Sequence, residues 1–394
     1  LYAMSEVPGV TPDDVVCAVA PITFDVISQE IYIPLIVGAR VVFADSDTLR
    51  DGQALAELID RTGATLMQAT PTRWRMLIDD GWQGRAGFKA QTGGEALTRG
   101  LADEILARVD DLWNIYGLTE TTVWSTADRI LPGSDVLTIG RPLANTQVYV
   151  VNRAGRPQPV GVAGELLIGG LGVGSSYLNR PDLTAERFVP DAFRPETNRQ
   201  LYRTGDLAKW LPDGRLVHLG RMDSQVKVNG VRIELGEVEA ALRAHDAVRA
   251  CAVIARELQP GDNRLLAYVI VEEGSDLTVS DFRRFLRKRL PDTMLPSFFI
   301  TVDALPMTSS GKLDRKALPD PFETDAAAET ENEPPAPGLE TSLALIWQDV
   351  LRVGEINAND NFFDIGGSSM LALAVVRKFE QESGWRMDPR TLFY

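Results

Sequence analysis

The chain has 394 residues, 44% of them hydrophobic, enough for two or three domains with cores of their own. Its 40 Lys and Arg against 55 Asp and Glu give a formal net charge of −15, which argues against nucleic acid or an anionic membrane surface as the main partner. Cys17 and Cys251 lie in apolar runs as small core residues and offer no disulfide framework, which fits a reducing cytoplasm; no apolar run reaches membrane length and no signal-like start is present.

The first stretch alternates strand and helix signals. VVCAVAPITF (15–24) has a buried strand pattern, and Ser28 to Ile36 reads as a helix. ARVVFAD (39–45) is a strand, followed by a helix over 52–63 that ends on Gly63. TLMQAT (65–70) is a strand, and Pro71 starts the next helix. FKAQT (88–92), a helix over 97–109 and DLWNIYG (111–117) complete an alternation that predicts a parallel sheet with helical crossovers. Glycine, proline and short β runs then dominate 130–220 and predict a β-barrel-like or antiparallel subdomain.

Residues 222–320 read as a small α+β unit: a hairpin over SQVKVNGVRI, a helix with Val238, Ala241, Leu242 and His245 on one face, two strands, a helix capped by Ser280, and a last strand, in the order of a split β-α-β unit. Residues 321–338 carry five acids, four prolines and no basic residue, the composition of a linker. Fully extended, such a linker reaches at most ~60 Å. A helical module begins at Leu339, with Leu343, Ile346, Trp347, Val350 and Leu351 inward. Both ends read as cut, Leu1 inside a helix–loop and Tyr394 soon after a helix, so the sequence is expected to be a fragment.

Unusual residues gather at strand ends in the first domain. Phe24-Asp25 follows the first strand, Gln68 and Thr70 close the third, TGGE (92–95) follows the fourth and NIYGLTE (114–120) the fifth. Any one of these is compatible with a polar turn; together they mark the carboxyl edge, where open parallel sheets bind ligands. Asp206 in YRTGDL follows a tight glycine turn, Arg221, Asp223, Lys227, Gly230, Arg232 and Glu234 crowd one boundary segment, and Lys312 lies on a Ser/Gly-rich loop. In DNFFDIGGSS (360–369) two glycines lead into Ser368 and Ser369 ahead of an apolar helical pattern, yet the chain's two histidines, His218 and His245, are both far from it in sequence. The serine therefore has no evident base.

The ordered set FDVIS, TGGEAL, NIYGLTE, GELLIGG, YRTGDL, GRMDSQVKVNGVRIELGE, LPDTMLP, SGKLDR and DNFFDIGGSS resembles the adenylation and peptidyl carrier modules of nonribosomal peptide synthetases over essentially the whole chain. The resemblance implies an adenylate-forming (ANL-type) α/β enzyme with a parallel α/β/α layer, a β-barrel-like subdomain and a small α+β C-terminal subdomain, followed by a helical carrier. The implied domains are a partial adenylation core (1–221), a mobile subdomain (222–320), a linker (321–338) and an incomplete carrier (339–394). Such a module activates an amino acid with ATP as aminoacyl-AMP and loads it as a thioester on a phosphopantetheine arm. A carrier serine needs no base of its own, because a separate phosphopantetheinyl transferase attaches the arm, here to Ser369. Ser368 then reads as a helix cap, and as a plain cap Ser369 would fit local physics as well.

By the same resemblance, Lys312 would bridge carboxylate and phosphate, Asp206 would accept the ribose hydroxyls, Arg221 would support the ribose–phosphate region, and Tyr116 would stack on adenine beside Gly94 and Asn114. Thr119 would contact phosphate and Glu120 would help hold Mg²⁺. Asp25 would pair with the substrate's α-ammonium, with Val26, Gln29, Gln68, Gln91, Gly93, Ile115, Val123 and Trp124 lining the side-chain pocket. With no ionisable residue in that lining, three glutamines, and Trp124 placed to shorten it, the substrate is expected to be a small or medium uncharged amino acid. Asp223 resembles the hinge that exchanges Lys312 for the Lys227–Gly230 loop between half-reactions. Expected partners are the transferase, condensation or other synthetase domains, and a small MbtH-like activator.

The sequence departs from the family pattern at Leu118 and Ser310, and at Ser175 and Ser176, and the family's phosphate loop matches nothing here, so the fragment alone is expected to turn over poorly. Two other readings stay open. One is an aryl or fatty acyl adenylate-forming ligase feeding a carrier. The other is a truncated, non-catalytic carrier and docking fragment.

Overall fold

Five short strands run parallel: β1 (Val15–Ala18), β2 (Arg40–Phe43), β3 (Leu66–Ala69), β4 (Lys89–Gly93) and β5 (Asp111–Tyr116). β6 (Thr126–Arg129) and β7 (Arg141–Pro142) continue the sheet antiparallel, in the order β2-β1-β3-β4-β5-β6-β7. The computed structural model describes the chain apart from residues 135, 223–224, 229–230, 260–261, 273–276, 308–312, 320–333, 352, 355, 361, 363–364, 366, 368, 386 and 388–394. The chain divides into two units, Leu1–Ser224 and Gln225–Tyr394.

Local chemistry sets the helix limits. After the short α1 (Tyr2–Met4) come α2 (Ile27–Val37), α3 (Gly52–Thr62), α4 (Pro71–Asp79) and α5 (Arg99–Leu106). The Asp51 carboxylate accepts the Ala54 N–H at 2.9 Å at the start of α3, and Gly63 ends that helix in the left-handed region. Pro71 opens α4 behind Thr70, and Glu95 also accepts the Thr72 N–H there. Helices α3, α4 and α5 bury Leu55, Ile59, Trp74, Leu77, Leu101 and Ile105 on one face of the sheet. Ile33 of α2 packs with Val16, Leu66, Ile115 and Trp124 in a separate cluster. The strand order reverses between β1 and β3, so the crevice at their carboxyl ends is a topological switch point.

The apolar run 15–24 does not form one long strand. Pairing stops at Ala18 because the Glu30 carboxylate takes the next backbone donors, the N–H groups of Val19 and Ala20, at 3.0 and 2.9 Å. The freed segment turns into α2 and carries Asp25 with it.

Residues 146–221 form an antiparallel sheet of β8 (Thr146–Val151), β9 (Gly164–Gly170), β10 (Phe188–Pro190), β11 (Gln200–Trp210) and β12 (Leu216–Arg221), with α6 (Pro181–Arg187) between β9 and β10. Its core holds Val150, Leu166, Ile168, Tyr202 and Leu216 together with Tyr116 and Leu118 from the end of β5. The β5 exit is thereby fixed between the two sheets.

In the second unit, β13 (Gln225–Val228) and β14 (Val231–Glu234) pair as the expected hairpin. α7 (Leu235–Arg243) buries Val238 and Leu242. β15 (Val248–Gln259) pairs antiparallel with β16 (Asp262–Val271), and α8 (Val279–Arg287) crosses from β16 to the parallel β17 (Phe298–Thr301). Ser280 is not the cap of α8. Thr278 is, because Asp281 three residues on returns its carboxylate to the Thr278 N–H and completes a capping box. α9 (Leu339–Leu351) and α10 (Ser369–Ser383) share a core of Ile346, Leu351, Phe362, Ala372, Val375 and Phe379.

Candidate active site

β11 and β12 are register partners at Asp206 and Arg221, and this pairing builds a charged cluster. Arg221 Nη1 donates to Asp206 Oδ1 at 2.9 Å, His218 Nε2 lies 3.4 Å from the same oxygen, and the Tyr116 hydroxyl donates to Oδ2 at 2.5 Å. Thr204 Oγ1 accepts the Asp206 N–H at 2.9 Å and donates to the Leu166 carbonyl at 2.7 Å, which pins the turn. Burial raises the Asp206 carboxyl, but His218, Arg221 and Tyr116 outweigh it and hold the group below its usual range. Burial, and then the Asp206 charge, push the Tyr116 phenol well up, so it stays a donor. Asn114 at the same strand end gives its amide to the Thr138 carbonyl at 2.8 Å.

Beyond β5, Thr119 is exposed and Glu120 half-buried. Tyr177 and Tyr202 both donate to Glu120 Oε1, at 2.6 and 2.9 Å, and their hydroxyls lie 3.0 Å apart. Burial and the Glu120 carboxylate push the Tyr177 phenol up. Thr122 and Val123 follow with φ of 64° and 66°, a left-handed pair that β-branched residues rarely adopt. The Thr122 hydroxyl holds the turn by donating to the Gly172 carbonyl at 2.6 Å.

The predicted pocket lining converges. Gln68, Gln91 and Trp113 are register neighbours on β3, β4 and β5, as Gly93 is with Ile115. Val26, Ile115, Val123 and Trp124 belong to the α2-side apolar cluster. Gln29 on α2 donates through Nε2 to Gln91 Oε1 at 2.6 Å. Gly93 admits the Trp124 ring, since a Cβ there would stand 2.9 Å from Trp124 Cη2. Asp25 is half-buried, and its Oδ2 is shielded from solvent with no hydrogen-bond partner. Gly94 lies one residue past β4, with φ +87°.

Ser369 is the first residue of α10. The path into it passes close over Phe362: a Cβ at Gly367 would stand 2.4 Å from that ring and from the Phe362 carbonyl, which accepts the Gly367 N–H at 2.9 Å. Lys312, Asp223, Gly230, Ser310 and Ser368 lie outside the described residues.

Sequence reasoning missed His218, Tyr177, Tyr202 and Glu30. Tyr202 stands four residues before Asp206 in the same motif, which was a usable signal. The other three act across turns or sheets and leave no local spacing.

Three family models match the chain: AMP-binding enzyme over residues 1–178, AMP-binding enzyme C-terminal domain over 237–312, and phosphopantetheine attachment site over 342–394. A dimodular nonribosomal peptide synthase of Bacillus subtilis is 42% identical over 394 residues, covering 100% of this chain and 16% of that protein. A holo nonribosomal peptide synthetase with adenylation and carrier domains, bound to a vinylsulfonamide inhibitor, is 30% identical with a TM-score of 0.76, covering 95% of this chain and 62% of that one. A four-domain nonribosomal peptide synthetase bound to AMP and glycine is 38% identical with a TM-score of 0.56, covering 99% of this chain and 29% of that one. The chain thus spans a minor share of the multidomain relatives it matches. With an AMP-binding core, its C-terminal subdomain and an attachment-site domain in this order, the chain belongs to the adenylation and carrier modules of the nonribosomal peptide synthetases.

Proposed function

We propose that the protein activates a small or medium uncharged amino acid. The amino acid carboxylate attacks the α-phosphorus of ATP, pyrophosphate leaves, and the aminoacyl-AMP formed is then passed to a thiol with release of AMP. The observation that carries this reading is Asp25 Oδ2, a shielded carboxylate oxygen without a hydrogen-bond partner, which an α-ammonium would satisfy. An aryl or fatty acid would leave it unsatisfied. The glycine held by the four-domain relative supports a small substrate.

Asp206 and Arg221 would hold the ribose, with Tyr116, Gly94 and Asn114 around the adenine. A carboxylate offers about four acceptor positions, and Asp206 already takes three neighbours, so ribose binding draws on the fourth and on the place of the Tyr116 hydroxyl. Thr119, exposed beside Glu120, would meet phosphate. Mg²⁺ bound by one carboxylate and substrate phosphates needs no further acid, so Glu120 alone fits it. Among the described residues no cluster of three metal-ligating side chains occurs. Lys312 would neutralise charge between carboxylate and phosphate, and Asp223 would be the hinge that brings the Lys227–Gly230 loop in afterwards.

The phosphopantetheine arm on Ser369 would supply the thiol. A phosphopantetheinyl transferase and neighbouring synthetase domains are the partners this reading requires, and a small MbtH-like activator is one it admits, with the cytoplasm as its place; Cys17 and Cys251 are buried and unpaired. Among the described residues no helix is long and apolar enough to cross a membrane. The proposed domain limits are 1–221, 222–320, 321–338 and 339–394.

Intact-mass measurement on the full-length protein, primed by a transferase and given ATP, Mg²⁺ and an amino acid panel, tests this. An ATP-dependent acyl mass is expected, and it should vanish in Ser369→Ala. Priming without any acyl loading would favour the carrier-only reading and defeat this one.

A further inference from the structure

Glu239 joins three elements of the second unit. It lies on α7 with 9% of its surface exposed, and its Oε1 accepts two donors, the Val253 N–H of β15 at 3.0 Å and Arg315 Nη2 at 2.9 Å. β15 stands at the end of the sheet order β15-β16-β17, and Glu239 supplies the acceptor that a further strand would have given Val253. The Cys251 thiol also donates to the Glu239 carbonyl, at 3.3 Å, so α7 is laced to this strand through one residue.

Arg315 comes from the SGKLDR motif, three residues after Lys312. The chain around it is tied down. Met307 and Leu313 pair as an isolated antiparallel bridge, and the Asp314 N–H donates to the Pro306 carbonyl at 2.8 Å. Leu318 is buried against Ala252, Leu266 and Tyr268, and the Tyr268 hydroxyl donates to the Pro319 carbonyl at 2.7 Å. Those contacts hold the segment to its own incoming chain and to one face of the sheet. Arg315 adds a tie of another kind, to α7, whose first residue Leu235 follows directly on β14. Exposed ion pairs contribute little, but this acid is buried. Removing the guanidinium leaves its carboxylate with one backbone N–H and with Arg243 at 3.8 Å.

We propose that Arg315 and Glu239 are positioning residues for Lys312: they fix the base of the segment from which the lysine extends. The inference rests on the role given to Lys312 above. A lysine carries its charge on a flexible stem, so the charge is placed only as well as the backbone beneath it is held. Misplacing a reacting group by about 1 Å lowers a rate by up to about a hundredfold. The Lys227–Gly230 loop stands on the β13–β14 hairpin, whose strand pairing does not involve Arg315. Loss of the pair therefore separates the two half-reactions.

The test compares both half-reactions in the full-length protein, with the best amino acid of the panel above. Pyrophosphate exchange reads adenylation. Transfer from supplied aminoacyl-AMP to the primed carrier reads thioester formation. In Arg315→Ala the expected kcat for exchange is lower by roughly tenfold to a hundredfold, with KM for ATP and amino acid, and the transfer rate, within about twofold of the parent. Arg315→Lys is expected to recover part of the loss. Glu239→Gln keeps an acceptor for Val253, and adding it to Arg315→Ala is expected to lower exchange no further. Equal loss in both half-reactions would make the pair a general brace of the fold and overturns the inference, as does undiminished exchange in Arg315→Ala. If Arg315→Ala does not fold, Glu239→Gln decides by the same split. Undiminished exchange in Lys312→Ala overturns the role given to that lysine, and no exchange in the unsubstituted protein overturns activation; either result takes the inference with it.

Discussion

Asp206 and Glu30 are buried acids of the same unit, exposed by only 3% and 1%, and they end in opposite states. At Asp206 burial raises the carboxyl, but Arg221, His218 and Tyr116 reverse the effect and keep it below 3.8. At Glu30 burial wins over two backbone N–H donors and a nearby Arg73, and the carboxyl is pushed up to about 8. Arg73 gives its Nη1 to the Leu49 carbonyl at 2.8 Å instead. One Glu30 oxygen is left shielded and without a hydrogen-bond partner. Depth does not set the charge of a buried acid here; direct contact with a cation does. The first acid is held ionised by its cluster of donors, and the second terminates a strand.

The largest expected effect is on the ionised side. Asp206→Ala leaves Arg221 without its carboxylate and should cost roughly 3–5 kcal/mol in urea unfolding, with exchange activity lost as well. Because the folded-state value is depressed, the Asp206 contribution is present above 3.8 and is lost as pH falls through the folded value. A variant as stable as the parent at neutral pH would erase the contrast.

The second effect concerns Glu30 and has the opposite sign. The folded carboxyl keeps its proton up to about 8, whereas the unfolded one ionises near 4.5, so stability present at low pH is lost as pH rises across that window. Glu30→Gln removes this titration and keeps an acceptor for Val19 and Ala20. Its stability relative to the parent should improve by about 1 kcal/mol per pH unit between about pH 5 and 8, read from urea midpoints at stepped pH. A pH-independent difference would mean Glu30 is ionised throughout.

The smallest effect refines the Asp206 cluster. Tyr116→Phe removes one donor of three and should cost about 1.5 kcal/mol by the same unfolding assay. It should also raise the acid limb, since one of the groups that lowers the Asp206 carboxyl is gone.

Much of the architecture was legible in the sequence because it is written in short-range patterns. Apolar runs of four or five residues, Pro71 at a helix start and Gly63 at a helix end each fix their element locally. The elements that were misread turn on a side chain from elsewhere. The strand over 15–24 is cut short by Glu30, and the cap of α8 shifts from Ser280 to Thr278 through Asp281. The site divides the same way. Asp25, Asp206 and Ser369 stand out through their motifs. The Gln29–Gln91 bond, the His218 contact to Asp206 and the two tyrosines on Glu120 join residues 12 to 82 positions apart and have no local signature.

The left-handed turn at Thr122 and Val123 delivers Val123 and Trp124 to the apolar cluster beside α2, and it is held by the Thr122 hydroxyl on the Gly172 carbonyl and by N–H bonds from Thr122 to Thr119 and from Trp124 to Thr122. None of those bonds involves the side chain of Val123 or Trp124. The course of the backbone at this corner is thus set by groups other than the side chains it presents, so a change at Val123 leaves every one of these bonds in place.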